Sequence, residues 1–180
     1  MSAYDTLVAR NVAYASRHPL GRPGVEPALR VVVLGCADHR ADPAHVLGLA
    51  ANDAVVIRNA GGRVTDGFLK ILMVLATVAL VEGLDPGFEL ILMQHTDCGL
   101  SHLSTADHGG VLAPMFGVEP ARLAALHLDD PVSAIVHDVD LLRSNPLMPR
   151  TLVVGGLVYD VETGRVATIV EPEPLGHALS

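Results

Sequence analysis

Arg30-Val-Val-Val-Leu-Gly-Cys36-Ala-Asp38-His-Arg40 is the stretch on which the fold turns. A short β-branched run that stops at glycine and enters a polar loop reads as a buried strand. Asp42-Pro43 follows, an N-cap residue with proline at the first helical position, and predicts a short helix over 43–47. Ala54-Val-Val-Ile57 repeats the strand signal and is stopped by Arg58-Asn-Ala-Gly-Gly62. A long helix is expected over 66–82, closed by Gly83, and a third strand over 88–94. Its apolar run from Ile71 to Val81 is apolar on all sides, so this helix is expected to be buried, and Met73 and Met93 are read as core.

Further along, 99–118 shows no period and reads as irregular. Short helices are expected over 119–127 and, capped by Asp130-Pro131, to about Ser144. A fourth strand over 151–159, a turn over 160–164 and a fifth strand over 165–170 complete the chain. The last pair is joined so briefly that it must be antiparallel. Strands alternating with helices imply an α/β fold: a central, mostly parallel sheet, a final antiparallel strand, and helices on both faces. One domain spans 1–180, with 1–19 as an N-terminal amphipathic helical arm.

Composition narrows the function. Half of the 180 residues are hydrophobic and only 18% are charged, below the roughly 25% usual for soluble domains. Apolar surface buried against another copy of the chain is therefore expected. A net charge of -8 with no basic run argues against nucleic acid and anionic membranes. The longest apolar run is too short to cross a bilayer and the N-terminus lacks a secretory pattern, so the cytoplasm is the expected location.

In an open parallel sheet, ligands bind beyond the carboxyl ends of the strands. Three strands end there in chemistry: Cys36-Ala-Asp38-His-Arg40, Arg58-Asn59 and His95-Thr-Asp-Cys98. Two thiolates and one imidazole form a borderline-soft donor set suited to tetrahedral zinc, with Cys36, His95 and Cys98 as ligands. Three protein ligands leave a fourth position open, the mark of a catalytic site. Asp38 and Arg40, two residues apart, are expected to pair and to hold the carboxylate beside the metal. Were the pair to break, Asp38 could become the fourth ligand and close the site. Two inert buried thiols are the simpler reading of the cysteines, and a redox pair is disfavoured because neither lies in a C-x-x-C motif.

Cys36-Ala-Asp38-His-Arg40, Val56-Ile-Arg58-Asn59-Ala-Gly-Gly62 and His95-Thr-Asp-Cys98-Gly99 together resemble the successive signatures of the β-class carbonic anhydrases. Val154 to Gly164 is similar to that family's closing hairpin, so the resemblance covers residues 28–171, most of the chain. It implies one zinc per subunit on Cys36, His95 and Cys98, and an Asp38–Arg40 dyad controlling the fourth position. It also implies dimers or multiples of dimers in which the N-terminal helix embraces the partner. The reaction implied is hydration of carbon dioxide to bicarbonate and a proton. Asn59, Ala60, Gly61, Gly62 and Ala50 would fall in the substrate pocket.

The chain departs from the plant-type pattern where Ala50 replaces a substrate-orienting glutamine and Ala51-Asn52 replace Pro-Gly. It has no Trp and only 3% aromatic residues, and its compactness resembles the subgroup that includes carbonyl sulfide hydrolase. Carbonyl sulfide or carbon disulfide is thus the alternative substrate, and a zinc module without turnover the reading from another class. His39, His102 and His108 are candidate proton carriers whose simpler reading is solvated histidine. Asp97 reads as a surface carboxylate or turn former.

Overall fold

The computed structural model describes residues 2–18, 24–85 and 87–176. Helix α1 (Ala3–Ala15) is started by Ser2, whose hydroxyl accepts from the Asp5 N–H while the Asp5 carboxylate takes the Ser2 N–H. None of its side chains is buried, and Tyr4, Leu7, Val8 and Val12 are exposed. Met1 and Pro19, the ends of the expected arm, lie outside the described residues.

Strands β1 (Val31–Cys36), β2 (Ala54–Asn59), β3 (Glu89–His95), β4 (Val153–Tyr159) and β5 (Val166–Pro174) form one sheet in the order β2-β1-β3-β4-β5. The first four run parallel and β5 is antiparallel to β4, as the strand–helix alternation predicts. Register matters here because it aligns the strand ends. Cys36 lies opposite Asn59, and Gly35 opposite both Arg58 and Met93. Cys36, Asn59 and His95 therefore end their strands along one edge of the sheet.

Helices α2 (Pro43–Val46), α3 (Asp66–Val81), α4 (Thr105–Phe116) and α5 (Pro131–Ser144) complete the fold. The main core joins Leu34, Leu90 and Leu92 of the sheet to Phe68 of α3 and to Ile135, Val139 and Leu142 of α5. Glycine permits this approach: a side chain at Gly156 of β4 would collide with Ile135. Asp130 caps α5, accepting the Val132 and Ser133 N–H groups at 3.0 and 3.2 Å. The Ser133 hydroxyl and these N–H groups hold the Asp130 carboxyl below its usual range. Its contribution is thus present above the unfolded carboxylate pKa of about 4 and is lost as pH falls through the folded value. Asp130→Ala is expected to cost about 1 kcal/mol. Thermal unfolding at neutral pH should show this as a loss of about 2–4 °C, shrinking on acidification.

Two expectations are corrected. The segment 99–118 is not irregular: a 3-10 turn (Gly99–His102) leads into α4. Gly109, Gly110 and Pro114 obscure the helical period, but the caps were legible. The Ser104 hydroxyl accepts from the Asp107 N–H, and Gly117 closes the helix with φ of 66°. The second correction concerns α3. Met93 is core, as expected, but Met73 is 54% exposed and Leu80 and Val81 are 79% exposed in the isolated chain. An apolar period says that a helix face seeks cover, not that its own chain supplies it. Among the described residues, no helix is long and apolar enough to cross a membrane.

Candidate metal centre

Cys36 is the last residue of β1, buried, and its Sγ accepts the Asp38 N–H at 3.4 Å. The chain then bends through a 3-10 turn (His39–Ala41) capped by Asp38, which accepts the Arg40 N–H at 2.9 Å. Pro43 packs over Gly35, where a Cβ would lie 2.5 Å from its ring. From β2, Arg58 braces this loop by donating to the Cys36 carbonyl at 2.9 Å, the Asp38 carbonyl at 2.7 Å and Asp42 at 2.7 Å.

His95 ends β3 and is 1% exposed. Its Nδ1 lies 2.9 Å from the Thr96 carbonyl, an arrangement that places the proton on Nδ1 and the lone pair on Nε2. That Nε2 is buried without a hydrogen-bond partner. Asp97 takes a left-handed turn, φ 53°, and delivers Cys98 to the same place. The Cys36 and Cys98 sulfurs are 3.9 Å apart, and with a nitrogen of His95 all three donor atoms lie within 4.8 Å of one another. The contact between the two sulfurs lowers the Cys36 pKa and raises that of Cys98, so Cys36 is the more readily ionised of the pair. A buried lone pair with no donor, facing two sulfurs of which one is readily ionised, fits a soft divalent ion.

Asp38 stands beside this group rather than in it. Arg40 Nε and Nη2 grip its two oxygens at 3.1 and 2.7 Å. This bidentate pair holds the Asp38 carboxyl far below the usual carboxylate range. Arg40 also reaches Asp97, with Nη1 on Oδ2 at 2.7 Å and Nη2 on the carbonyl at 2.8 Å. Asp97 Oδ1 is 3.0 Å from His102 Nε2. The turn-forming role expected of Asp97 is present, but its contact with Arg40 was not foreseen. His39 is 94% exposed, with Nδ1 3.8 Å from Asp38.

The glycine turn after β2 supports the site from below. Asn59 spends its amide on the Arg63 backbone, donating at 2.8 Å and accepting at 2.8 Å. Gly62 has φ of 61° and passes so close to Cys36 that a Cβ would sit 2.7 Å from the Cys36 nitrogen. Gly62→Ala is expected to destabilise by at least about 1–2 kcal/mol from the positive φ alone. The backbone collision should add weakened metal retention, read as faster loss of metal to a chelator. Buried Gln94 donates to the Gly62 carbonyl at 2.8 Å.

Arg63 and Asp138 form a buried pair that sequence reasoning missed, with Nε–Oδ2 at 2.8 Å and Nη2–Oδ1 at 2.9 Å. Arg63 Nη1 also donates to the Leu126 carbonyl at 2.6 Å. The burial of Asp138, though not its partner, was legible, since it occupies the buried stripe of α5 with Ala134, Ile135, Val139 and Leu142. A cavity beside this group is lined by Gly61, Arg63, His95, Asp97, Cys98 and Leu100, among others. Neither Cys36 nor Asp38 lines it. Ala50 is exposed in the turn before β2, its N–H on Asp53 at 2.7 Å.

A mostly parallel α/β sheet with two thiols and an imidazole converging at its carboxyl edge is a framework that could hold a metal ion. Comparison with known proteins places the chain more narrowly. The family model described as "Carbonic anhydrase" matches residues 31–166. β-Carbonic anhydrase 1 of Mycobacterium tuberculosis is 31% identical over 168 residues, covering 92% of this chain and 97% of that protein. A carbon disulfide hydrolase from an Acidianus species is 28% identical over 189 residues, covering 90% and 86%. The crystal structure of carbonic anhydrase from Streptococcus mutans superposes with a TM-score of 0.72 at 33% identity, over 94% of this chain and 98% of that one. The chain belongs to the β-carbonic anhydrase family.

Proposed function

We propose that the chain is a zinc enzyme that reversibly hydrates carbon dioxide to bicarbonate and a proton, with Cys36, His95 and Cys98 as metal ligands. The observation that carries this reading is the convergence of those three donor atoms within 4.8 Å, beside an Asp38 whose oxygens are both occupied by Arg40. Zinc held by such a set supplies a Lewis acid and a water activated near neutral pH. The chain's residues do the rest. Arg40 keeps Asp38 ionised and off the metal, so that it acts as a hydrogen-bond acceptor for whatever occupies the fourth position. Asn59, Ala60, Gly61 and Gly62 form the wall of the turn beneath; Asn59 shapes that wall, because its amide is committed to Arg63.

Hydrolysis of carbon disulfide or carbonyl sulfide is the second reading. It is favoured by similarity to relatives named carbon disulfide hydrolase and by Ala50, which offers no side-chain donor to orient bicarbonate. The same purified, metal-replete sample should release protons from carbon dioxide; sulfide release from the sulfur compounds in place of that activity would make the second reading the correct one. Inactivity on all three substrates would leave a zinc-binding module without turnover.

The working unit is proposed to be a homodimer or a multiple of it, with the α1 arm lying across the partner. The exposed apolar faces of α1 and α3 support this. Two free cysteines poised as ligands suit a reducing cytoplasm.

A further inference from the structure

We infer that Asp97 is a positioning residue acting through Arg40: it keeps the guanidinium charge-balanced when Asp38 turns away, and so sets how readily Asp38 reaches the fourth metal position. The inference rests on the metal site proposed above and concerns a residue outside its ligand set. Arg40 is one planar cation held between two carboxylates. Its Nε and Nη2 serve Asp38, while Nη1 and a further contact from Nη2 serve Asp97. The Asp97 side is complete without Asp38, because both the Oδ2 contact at 2.7 Å and the carbonyl contact at 2.8 Å are its own. Asp97 is itself fixed twice over, by its left-handed backbone between His95 and Cys98 and by His102 on its other oxygen.

Two opposed effects could follow from this geometry. As an anchor, Asp97 would hold Arg40 in place and so keep Asp38 off the metal. As a counter-charge, it would relieve Arg40 of its dependence on Asp38 and make departure cheaper. Asp97→Asn separates them. Asparagine keeps the shape, tolerates the positive φ, and retains an amide oxygen for Nη1 and the backbone carbonyl for Nη2. What it removes is the charge. With Asp97 neutral, an Asp38 that leaves would strand a cation with no carboxylate, so Asp38 should stay on Arg40 and the fourth position should stay open.

The test uses the full chain loaded with cobalt(II), whose visible bands report ligands at the fourth position, titrated with thiocyanate. Wild type, Asp97→Asn, Asp38→Asn and the double variant form a cycle. The titration is run where the wild-type bands show Asp38 on the metal, because a closed state weakens thiocyanate only in proportion to its population; there Asp97→Asn is expected to bind it about three- to fivefold more tightly, the scale of one partly exposed ion pair. A wild type whose bands show Asp38 ligation under no condition would overturn the inference. In the Asp38→Asn background the same change should leave the affinity unaltered. Unchanged or weaker binding in Asp97→Asn would overturn the inference, since that is the signature of an anchor or of no role. Equal tightening in both backgrounds would also overturn it, showing only the removal of a nearby negative charge. A wild-type chain that takes up no cobalt with thiolate ligation would instead remove the metal site, and the inference with it.

Discussion

Replacing Cys36 or Cys98 by serine should leave the purified protein without zinc while the sheet remains folded. The sulfurs sit 3.9 Å apart on separate strand ends, and between them they supply the negative charge that neutralises a divalent ion. A serine hydroxyl does not ionise in that place, so the donor set falls to one thiolate and one imidazole. Losing a mere supporting partner of a ligand costs about 10- to 100-fold in metal affinity, and loss of a ligand should exceed that. Fold should survive because the core around Leu34, Leu92 and Ile135 is assembled from the sheet, α3 and α5, not from the ligands. Metal analysis beside circular dichroism reads both halves of the claim. One zinc per chain in both serine variants would exclude the ligand assignment.

Asp38→Asn should do the reverse: keep zinc and lose most of the rate. Two of the five N–H donors of Arg40 lie in a fork on the Asp38 oxygens at 3.1 and 2.7 Å. An amide can present only one oxygen to that fork, and its NH2 group would face the guanidinium. Asparagine therefore rotates or separates from Arg40, and it no longer offers a charged acceptor beside the fourth position. The expected loss is about 10- to 100-fold in kcat/KM with metal content unchanged. Full turnover in this variant would take the pair out of the chemistry and leave it a brace between loops.

Much of this was legible in the sequence, for identifiable reasons. β1, β2 and β4 are short runs rich in valine or isoleucine and β3 is a short run of leucine, isoleucine and methionine, each giving way to glycine or polar residues, and that pattern states both strand and strand end. Because parallel strands share an orientation, it also places Cys36, Asn59 and His95 on one edge of the sheet. Helix α4 was hidden, since Gly109, Gly110 and Pro114 break its apolar period while its caps remain in plain view. Pairings made across the fold were hidden more deeply. Nothing in the neighbours of Arg63 names Asp138, and nothing beside Arg40 names Asp97, because each contact exists only once the loops have been folded together. The exposure of Met73, Leu80 and Val81 belongs to the same class: sequence shows that a face is apolar, and only assembly shows what covers it.

The central claim is that Cys36, His95 and Cys98 hold one ion between them, and X-ray absorption at the zinc edge of the purified protein tests it most directly. The expected shell has two sulfurs at about 2.3 Å, one imidazole nitrogen at about 2.0 Å and one further light atom. A shell of oxygen and nitrogen alone, or zinc absent from a folded, metal-supplemented protein, would contradict it.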